Sequence, residues 1–179
     1  MRRLVAAYFV VVAFSLSVAA QQKSPGAGSI IVLETAKGTI EFETYPEEAP
    51  KTVAQIVGLV KKNFYNGQRF HRAEPNFVIQ VGDPVSHDVS RQAYWGRQGT
   101  GKPIGVAEIT KKRRHTLGAV SMAYPGNDRT QADSQFFILR RPAPEYDGKH
   151  TVFGKVLKGM DVVGKIQRGD VLKRAYLKE

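Results

Sequence analysis

No cysteine occurs among the 179 residues. That absence excludes a disulfide framework, a thiol nucleophile, a thiolate metal site and a lipid-modified cysteine anchor. Histidine is sparse as well: His71, His87, His115 and His150 are scattered, so the His-x-x-x-His pair of a zinc protease is missing. Neither a Gly-x-Gly-x-x-Gly turn nor a Gly-Lys-Ser/Thr phosphate loop is present. Gly96, Gly99, Gly101 and Gly105 have the wrong spacing and no strand–helix context. Ser121 and Ser134 lack the glycine-flanked elbow of a serine hydrolase. Low-complexity tracts and periodic repeats are also missing. What remains, 42% hydrophobic and 24% charged, is the composition of one soluble globular domain.

The one long apolar run lies at the N-terminus. Arg2 and Arg3 precede Leu4 to Val18, which is interrupted only by Ser15 and Ser17 and followed by the small residues Ala19 and Ala20. This is the order of a secretory signal. The run is short against the roughly 20 apolar residues a spanning helix needs, so a membrane anchor is the weaker reading. The sequence therefore predicts a cleavable signal over 1–20, a short flexible linker over 21–28 and a single domain over 29–179. The mature protein is expected to be exported, periplasmic or extracellular, without a stable membrane span. Its formal net charge falls from +11 by the charges of Arg2 and Arg3. Export argues against a nucleic-acid partner, and no aromatic stacking surface is interleaved with the basic cluster Lys111 to His115. That cluster reads as a solvated turn, or as a patch that steers acidic partners.

Strand signals dominate the rest. Ile30 to Glu34 and the alternating Thr39 to Glu43 predict a hairpin, with Ile40 and Phe42 inward and Glu41 and Glu43 outward. Val53, Ile56, Val57 and Val60 recur at helical spacing behind Pro50, and predict a helix. Further strands are expected at Arg69 to His71, Phe77 to Val81, Leu117 to Ala123, Ser134 to Leu139, Thr151 to Val156 and Val171 to Leu177. A second short helix is expected at Gly159 to Ile166, with Met160, Val163 and Ile166 on one side. Between Gly82 and Gly105 lies a long polar excursion holding Tyr94 and Trp95, either a partner-binding patch or a cluster pinning the loop. Strands and helices do not alternate, so a mostly antiparallel sheet or closed barrel is predicted, its ends covered by the two helices.

Arg72, flanked by Phe70-His71, is the unusual residue, because Phe77, Val78 and Gln80 follow it closely. Downstream, adjacent Phe136 and Phe137 must point to opposite faces of a strand, one into the core and one free to line a pocket. Taken with Pro50-Lys51-Thr52-Val53, Gly82-Asp83, Ser121-Met122-Ala123 and Asp147-Gly148-Lys149-His150 before Val152-Phe153-Gly154-Lys155-Val156, these blocks resemble the cyclophilin family of peptidyl-prolyl cis/trans isomerases. The resemblance runs from about Ile30 to Leu177, and rests on the order and spacing of the blocks together.

The resemblance implies a mostly β fold: a closed eight-stranded antiparallel barrel capped by two α-helices. It implies Arg72, Gln80 and His150 as catalytic residues, with Gln80 orienting Arg72 and His150 on the pocket rim. Phe77, Val78, Phe137 and Tyr146 would receive a proline ring, while Ala123, Tyr124 and Pro125, with Gln135 beside them, would hold the residues before it. The expected partners are Pro-containing unfolded or flexible protein segments, and no cofactor or metal is expected. We expect a monomer. Val78 replaces a common methionine, and Glu145 stands where well-known relatives have tryptophan, which implies weak binding of cyclosporin-like cyclic peptides. The Asp83 to Gly99 stretch is longer than in compact members, and Tyr124 replaces a common asparagine. A binding module that merely grips Pro-containing segments is the competing class. The retained set Arg72, Phe77, Gln80, Phe137 and His150 favours the enzyme, since gripping alone does not require all of it.

Overall fold

The computed structural model describes residues 23–179, so the signal-like segment 1–20 lies outside the described residues. Eight strands form one antiparallel sheet. They are β1 (Ile30–Thr35), β2 (Gly38–Thr44), β3 (Arg72–Ala73), β4 (Val78–Val81), β5 (Ala119–Met122), β6 (Phe136–Leu139), β7 (Val152–Lys158) and β8 (Leu172–Leu177). Their spatial order is β3-β4-β6-β5-β7-β2-β1-β8. Two helices, α1 (Pro50–Lys61) and α2 (Met160–Lys165), complete the frame.

The predicted closed barrel needs correction, because the ladder is open between β3 and β8. Among the described residues the two ends meet at a single bridge, Arg69 to Val171. Beside it, Phe70 N–H donates to the Asp170 carbonyl at 3.0 Å and Leu172 N–H to that of Gln68 at 2.8 Å. The reason is the brevity of β3. Its two residues pair with β4, and the chain just before it meets the start of β8 rather than running along that strand.

Alternation builds the inner face. Ile31 stands opposite Phe42 and Leu33 opposite Ile40 in the β1–β2 register, and all four are fully buried. Cross-strand apolar pairs of this kind are the stabilising unit of a sheet. Phe136 of β6 joins the same core, tilted against Phe42 at 5.9 Å and edge-on to Phe153 at 6.0 Å. Tyr65 closes it from the side, its ring 5.5 Å from Phe136 and its hydroxyl donating to the Ser134 carbonyl at 3.0 Å. Glu43 departs from its predicted outward place and is fully buried. Its carboxylate accepts from the Ser24 backbone and hydroxyl and from the Tyr45 hydroxyl, which is what makes its burial tolerable. Burial, with Glu43 next to it, pushes the Tyr45 phenol up to about 12.

Helix α1 buries Val53, Ile56 and Val60 as its spacing predicts, together with Thr52, and Val57 is partly buried against the same core. Pro50 fits its first turn, where no intrahelical donor is lost. Ala49 offers no side-chain cap. Glu108, just past the excursion, does that work: its two oxygens accept from Lys51 N–H at 3.0 Å and Thr52 N–H at 2.8 Å. Helix α2 is shorter than expected and buries Val162 and Val163, leaving Met160 only partly covered.

The excursion between β4 and β5 is built from small ordered pieces. Asp83 and Asp88 cap the 3₁₀ turns Pro84–His87 and Val89–Tyr94, accepting from Val85 N–H and Ser90 N–H at 2.8 Å each. Trp95 is buried and donates its indole N–H to the Asp88 carbonyl at 3.0 Å, so it pins the loop, while Tyr94 is 55% exposed. The basic cluster is likewise tied down in part. Glu48, buried at its carboxylate, is paired with Lys112 and Arg113, and the Arg113 guanidinium lies 3.6 Å from the centre of the Tyr45 ring.

Candidate active site

Two short strands bring the central residues together. Arg72 in β3 stands opposite Gln80 in β4, and its Nη1 donates to Gln80 Oε1 at 3.4 Å. Arg72 Nε donates to Glu74 Oε1 at 2.7 Å. Residues two apart on a strand share a face, so the Arg-x-Glu spacing held that signal in the sequence, although Glu74 was not singled out. The guanidinium remains partly exposed and lies 5.8 Å from the Phe77 ring centre.

Behind Gln80 the chain of amides continues. Gln80 Nε2 donates to Gln135 Oε1 at 2.9 Å, and Gln135 Nε2 donates to the carbonyls of Gly96 at 3.0 Å and Gln98 at 2.8 Å. Gln135 therefore spends its amide within the protein, holding the excursion to Gln80. Gly82 permits the close passage beneath: at φ 114° it takes a conformation unsuited to other residues, and a side chain there would meet the Ser134 backbone.

Phe137, one residue from the core ring Phe136, points the other way into a second apolar cluster with Val78, and Phe77, Ala123 and Tyr146 pack against it. Phe137 is buried while Phe77, Tyr146 and His150 around it are partly exposed, and we read the face they share as a shallow recess. Tyr146 lies 5.7 Å from Phe77 and 5.8 Å from Phe137, and His150 lies 5.3 Å from Phe137 and 4.8 Å from Tyr146. Tyr124 packs on His150 at 4.7 Å. Val78 is fully buried, so it supports this recess from behind. Arg141, which the sequence reading passed over, lies 4.7 Å from the Phe77 ring centre and pairs with Glu145.

The histidines differ in state. Burial lowers the pKa of His150, opposed in part by its hydrogen bond to the Met122 carbonyl. With Nδ1 2.9 Å from that oxygen, the ring is held as the neutral Nδ1–H form. His71, on the opposite side of the chain from Arg72, is buried with neither ring nitrogen hydrogen-bonded among the described residues, and burial lowers its pKa to about 4. His115 sits beneath the recess, stacked on Phe137 at 6.4 Å. Its Nδ1 lies 2.9 Å from Asp147 and its Nε2 3.1 Å from Ser121. This Ser–His–Asp order is structural, since Ser121 is fully buried and its oxygen also meets the Thr151 carbonyl at 2.9 Å. Burial alone would raise Asp147, but hydrogen bonds from the His115 backbone and ring and from Arg114 outweigh it and hold the carboxyl at about 2.

Next to the aromatic recess lies a cavity of about 520 Å³, lined in part by Gln80, Gln135, Ala123, Tyr124 and Pro125. The predicted site residues thus fall into two adjoining sets. Phe77, Phe137, Tyr146 and His150 surround the recess, and the segment Ala123 to Pro125 borders the cavity. Arg72 and Gln80 stand where the two sets join.

Three comparisons bear on this arrangement. Residues 30–178 match the family model for cyclophilin type peptidyl-prolyl cis-trans isomerases. Peptidyl-prolyl cis-trans isomerase B of Bacillus subtilis is 43% identical over 134 residues, covering 75% of this chain and 87% of that protein. A probable peptidyl-prolyl cis-trans isomerase of Brucella abortus is 38% identical over 180 residues, covering 98% of this chain and 89% of its own. In fold, the chain is similar to a cyclophilin type isomerase of Cryptosporidium parvum, with a TM-score of 0.72 at 23% identity, covering 84% of this chain and 98% of that one. That protein was also solved in the presence of the dipeptide Ala-Pro.

Proposed function

The chain belongs to the cyclophilin type of peptidyl-prolyl cis-trans isomerases, and from that premise we propose that Arg72 drives rotation about Xaa-Pro bonds in exported proteins as they fold. Planar peptide bonds resist rotation because conjugation gives the C–N bond partial double character, with a barrier of roughly 18–20 kcal/mol. The tertiary amide before proline makes the cis form accessible, yet interconversion stays slow. A catalyst must bind the twisted amide better than either planar form.

The observation that carries the reading is a permanently charged guanidinium beside an aromatic recess, 5.8 Å from Phe77. A proline ring held by Phe77, Phe137 and Tyr146 would bring its nitrogen toward Arg72. Twisting localises the nitrogen lone pair, and Arg72 can donate to it without ever losing its proton. Gln80 is then a positioning residue, holding one arm of the fork, while Glu74 holds another. His150 packs as a neutral ring on the rim, because no proton need leave the substrate. Ala123, Tyr124 and Pro125 would take the residues preceding the proline, along the mouth of the cavity. No covalent step, metal or cofactor is required by this account.

Export rests on the order of charge, apolar run and small residues over 1–20. The test is paired. Purified protein should accelerate cis-to-trans relaxation of an Xaa-Pro peptide. Fractionated cells should yield a chain shortened by about the signal length outside the cytoplasm. An uncleaved chain confined to the cytoplasm would reject the export half, and an unaccelerated peptide would reject the catalytic half.

A further inference from the structure

The cavity beside Gln80 carries two charged side chains on its lining, Arg97 and Asp133. Asp133 is fully engaged. Its carboxylate accepts from the Thr100 hydroxyl at 2.6 Å, Gly101 N–H at 2.9 Å and Lys102 N–H at 3.2 Å. Arg97 is held in place but left free at its tip. Its backbone N–H donates to Asp83 at 3.1 Å, and the carbonyls on either side of it, from Gly96 and Gln98, are clamped by Gln135. The guanidinium is exposed and lies 5.8 Å from the Tyr94 ring centre. None of the ion pairs among the described residues includes Arg97. The lining thus carries one guanidinium and one carboxylate, neither of them ion-paired among the described residues; the carboxylate is covered by three donors, whereas the guanidinium is exposed, on a backbone that is fastened through Gln135 and Gln80 to Arg72.

We propose that Arg97 selects substrates bearing an acidic side chain in the residues just before the Xaa-Pro bond. The inference rests on the groove reading above, in which those residues pass along Ala123 to Pro125 and so enter this cavity. Proline would be recognised by the aromatic recess, and the preceding carboxylate by the excursion. Because the guanidinium is solvated, the discrimination is modest, about two- to five-fold, and it shrinks as salt screens the pair.

The test uses three peptides differing only in the side chain two residues before the proline: glutamate, glutamine or lysine. Relative kcat/KM is read within each protein, so a general loss of activity cancels. The intact protein should favour the glutamate peptide over the glutamine one by about two- to five-fold and use the lysine peptide least. Arg97→Lys should keep that order, and Arg97→Glu should invert it. Lys173→Glu, an exposed change of equal net charge on β8, should leave the order as it was. An unchanged glutamate-to-lysine ratio in Arg97→Glu overturns the proposal, as does an inversion by Lys173→Glu, which would assign the preference to overall charge. Arg72→Ala separates the two layers: if it still accelerates all three peptides fully, the groove reading itself has failed.

Discussion

Arg72 and Gln80 face each other across the β3–β4 ladder, and the arginine's Nη1 meets the glutamine's oxygen at 3.4 Å. One arm of the fork is thereby aimed while the guanidinium stays partly open to solvent. Removing it should cost catalysis and little stability. Arg72→Ala is expected to lower kcat/KM on an Xaa-Pro peptide by about 10²–10³-fold, the range for loss of one preorganised donor. Arg72→Lys keeps charge but loses the planar fork, so it should recover only part of that. Normal rates in both variants would dismiss the electrostatic mechanism.

Gln135 is placed to act at one remove. Its amide joins Gln80 to the Gly96 and Gln98 carbonyls, so Gln135→Leu strands three polar groups at once. We expect kcat to fall more than KM rises, because Arg72 loses its aim while the aromatic recess is untouched. Rescue by Gln135→Glu should be poor, since a carboxylate cannot donate to the two carbonyls. A pure KM effect would place Gln135 in substrate contact instead.

Activity and stability should answer differently to acid. With His150 already neutral, its pKa lowered by burial, turnover should be nearly flat between about pH 6.5 and 8. A steep ionisation in that window would mark a titrating catalytic group. Stability follows His71, whose folded pKa of about 4 lies below its ordinary 6.5. The unfolded chain takes the proton first, so its contribution is complete above pH 6.5 and is lost as pH falls toward 4. The full loss is roughly 3 kcal/mol. Asp147, held at about 2 against an ordinary 3.8, adds a second loss below that range. Urea midpoints of the intact protein should fall between pH 6.5 and 4 while those of His71→Leu fall less over the same range, and parallel curves would remove His71 as the cause.

Glu108 caps α1 from 57 positions away in sequence. Glu108→Ala should destabilise the fold by about 0.5–2 kcal/mol, the usual worth of an N-terminal cap, without changing the kinetics of the surviving native protein. An unchanged melting curve would show that solvent replaces the carboxylate at no cost.

Glu145 is exposed and paired with Arg141 beside Phe77. Cyclosporin should inhibit weakly, and Glu145→Trp should tighten inhibition by adding an apolar face at the recess. Tight inhibition of the unmodified protein would refute this view of the rim.

What could be read from the chain was whatever depends on local period. Alternation put Phe136 and Phe137 on opposite faces, the resemblance chose Phe137 for the pocket side, and helical spacing found α1. Glu43 defeated the same rule, because its burial depends on Ser24 and Tyr45 arriving as donors. Glu108 as a cap and the His115–Asp147 tie were equally hidden, since no spacing links partners so far apart in sequence. The barrel was over-closed for a related reason: strand patterns count strands but do not say that β3 would be two residues long. Of the candidate site, the aromatic set was named through the family resemblance, while the contacts of Glu74 with Arg72 and of Arg141 with Phe77 required coordinates.

The Ser24–Glu43 contact has a practical meaning for where this protein may be cut. Family similarity begins at residue 30, which invites a recombinant chain starting there. Such a chain would strip two of the three donors from a carboxylate with no exposed surface. Judged by what this buried carboxylate contacts, the chain from Ser24 onward belongs together, and a tag or fusion partner belongs ahead of it.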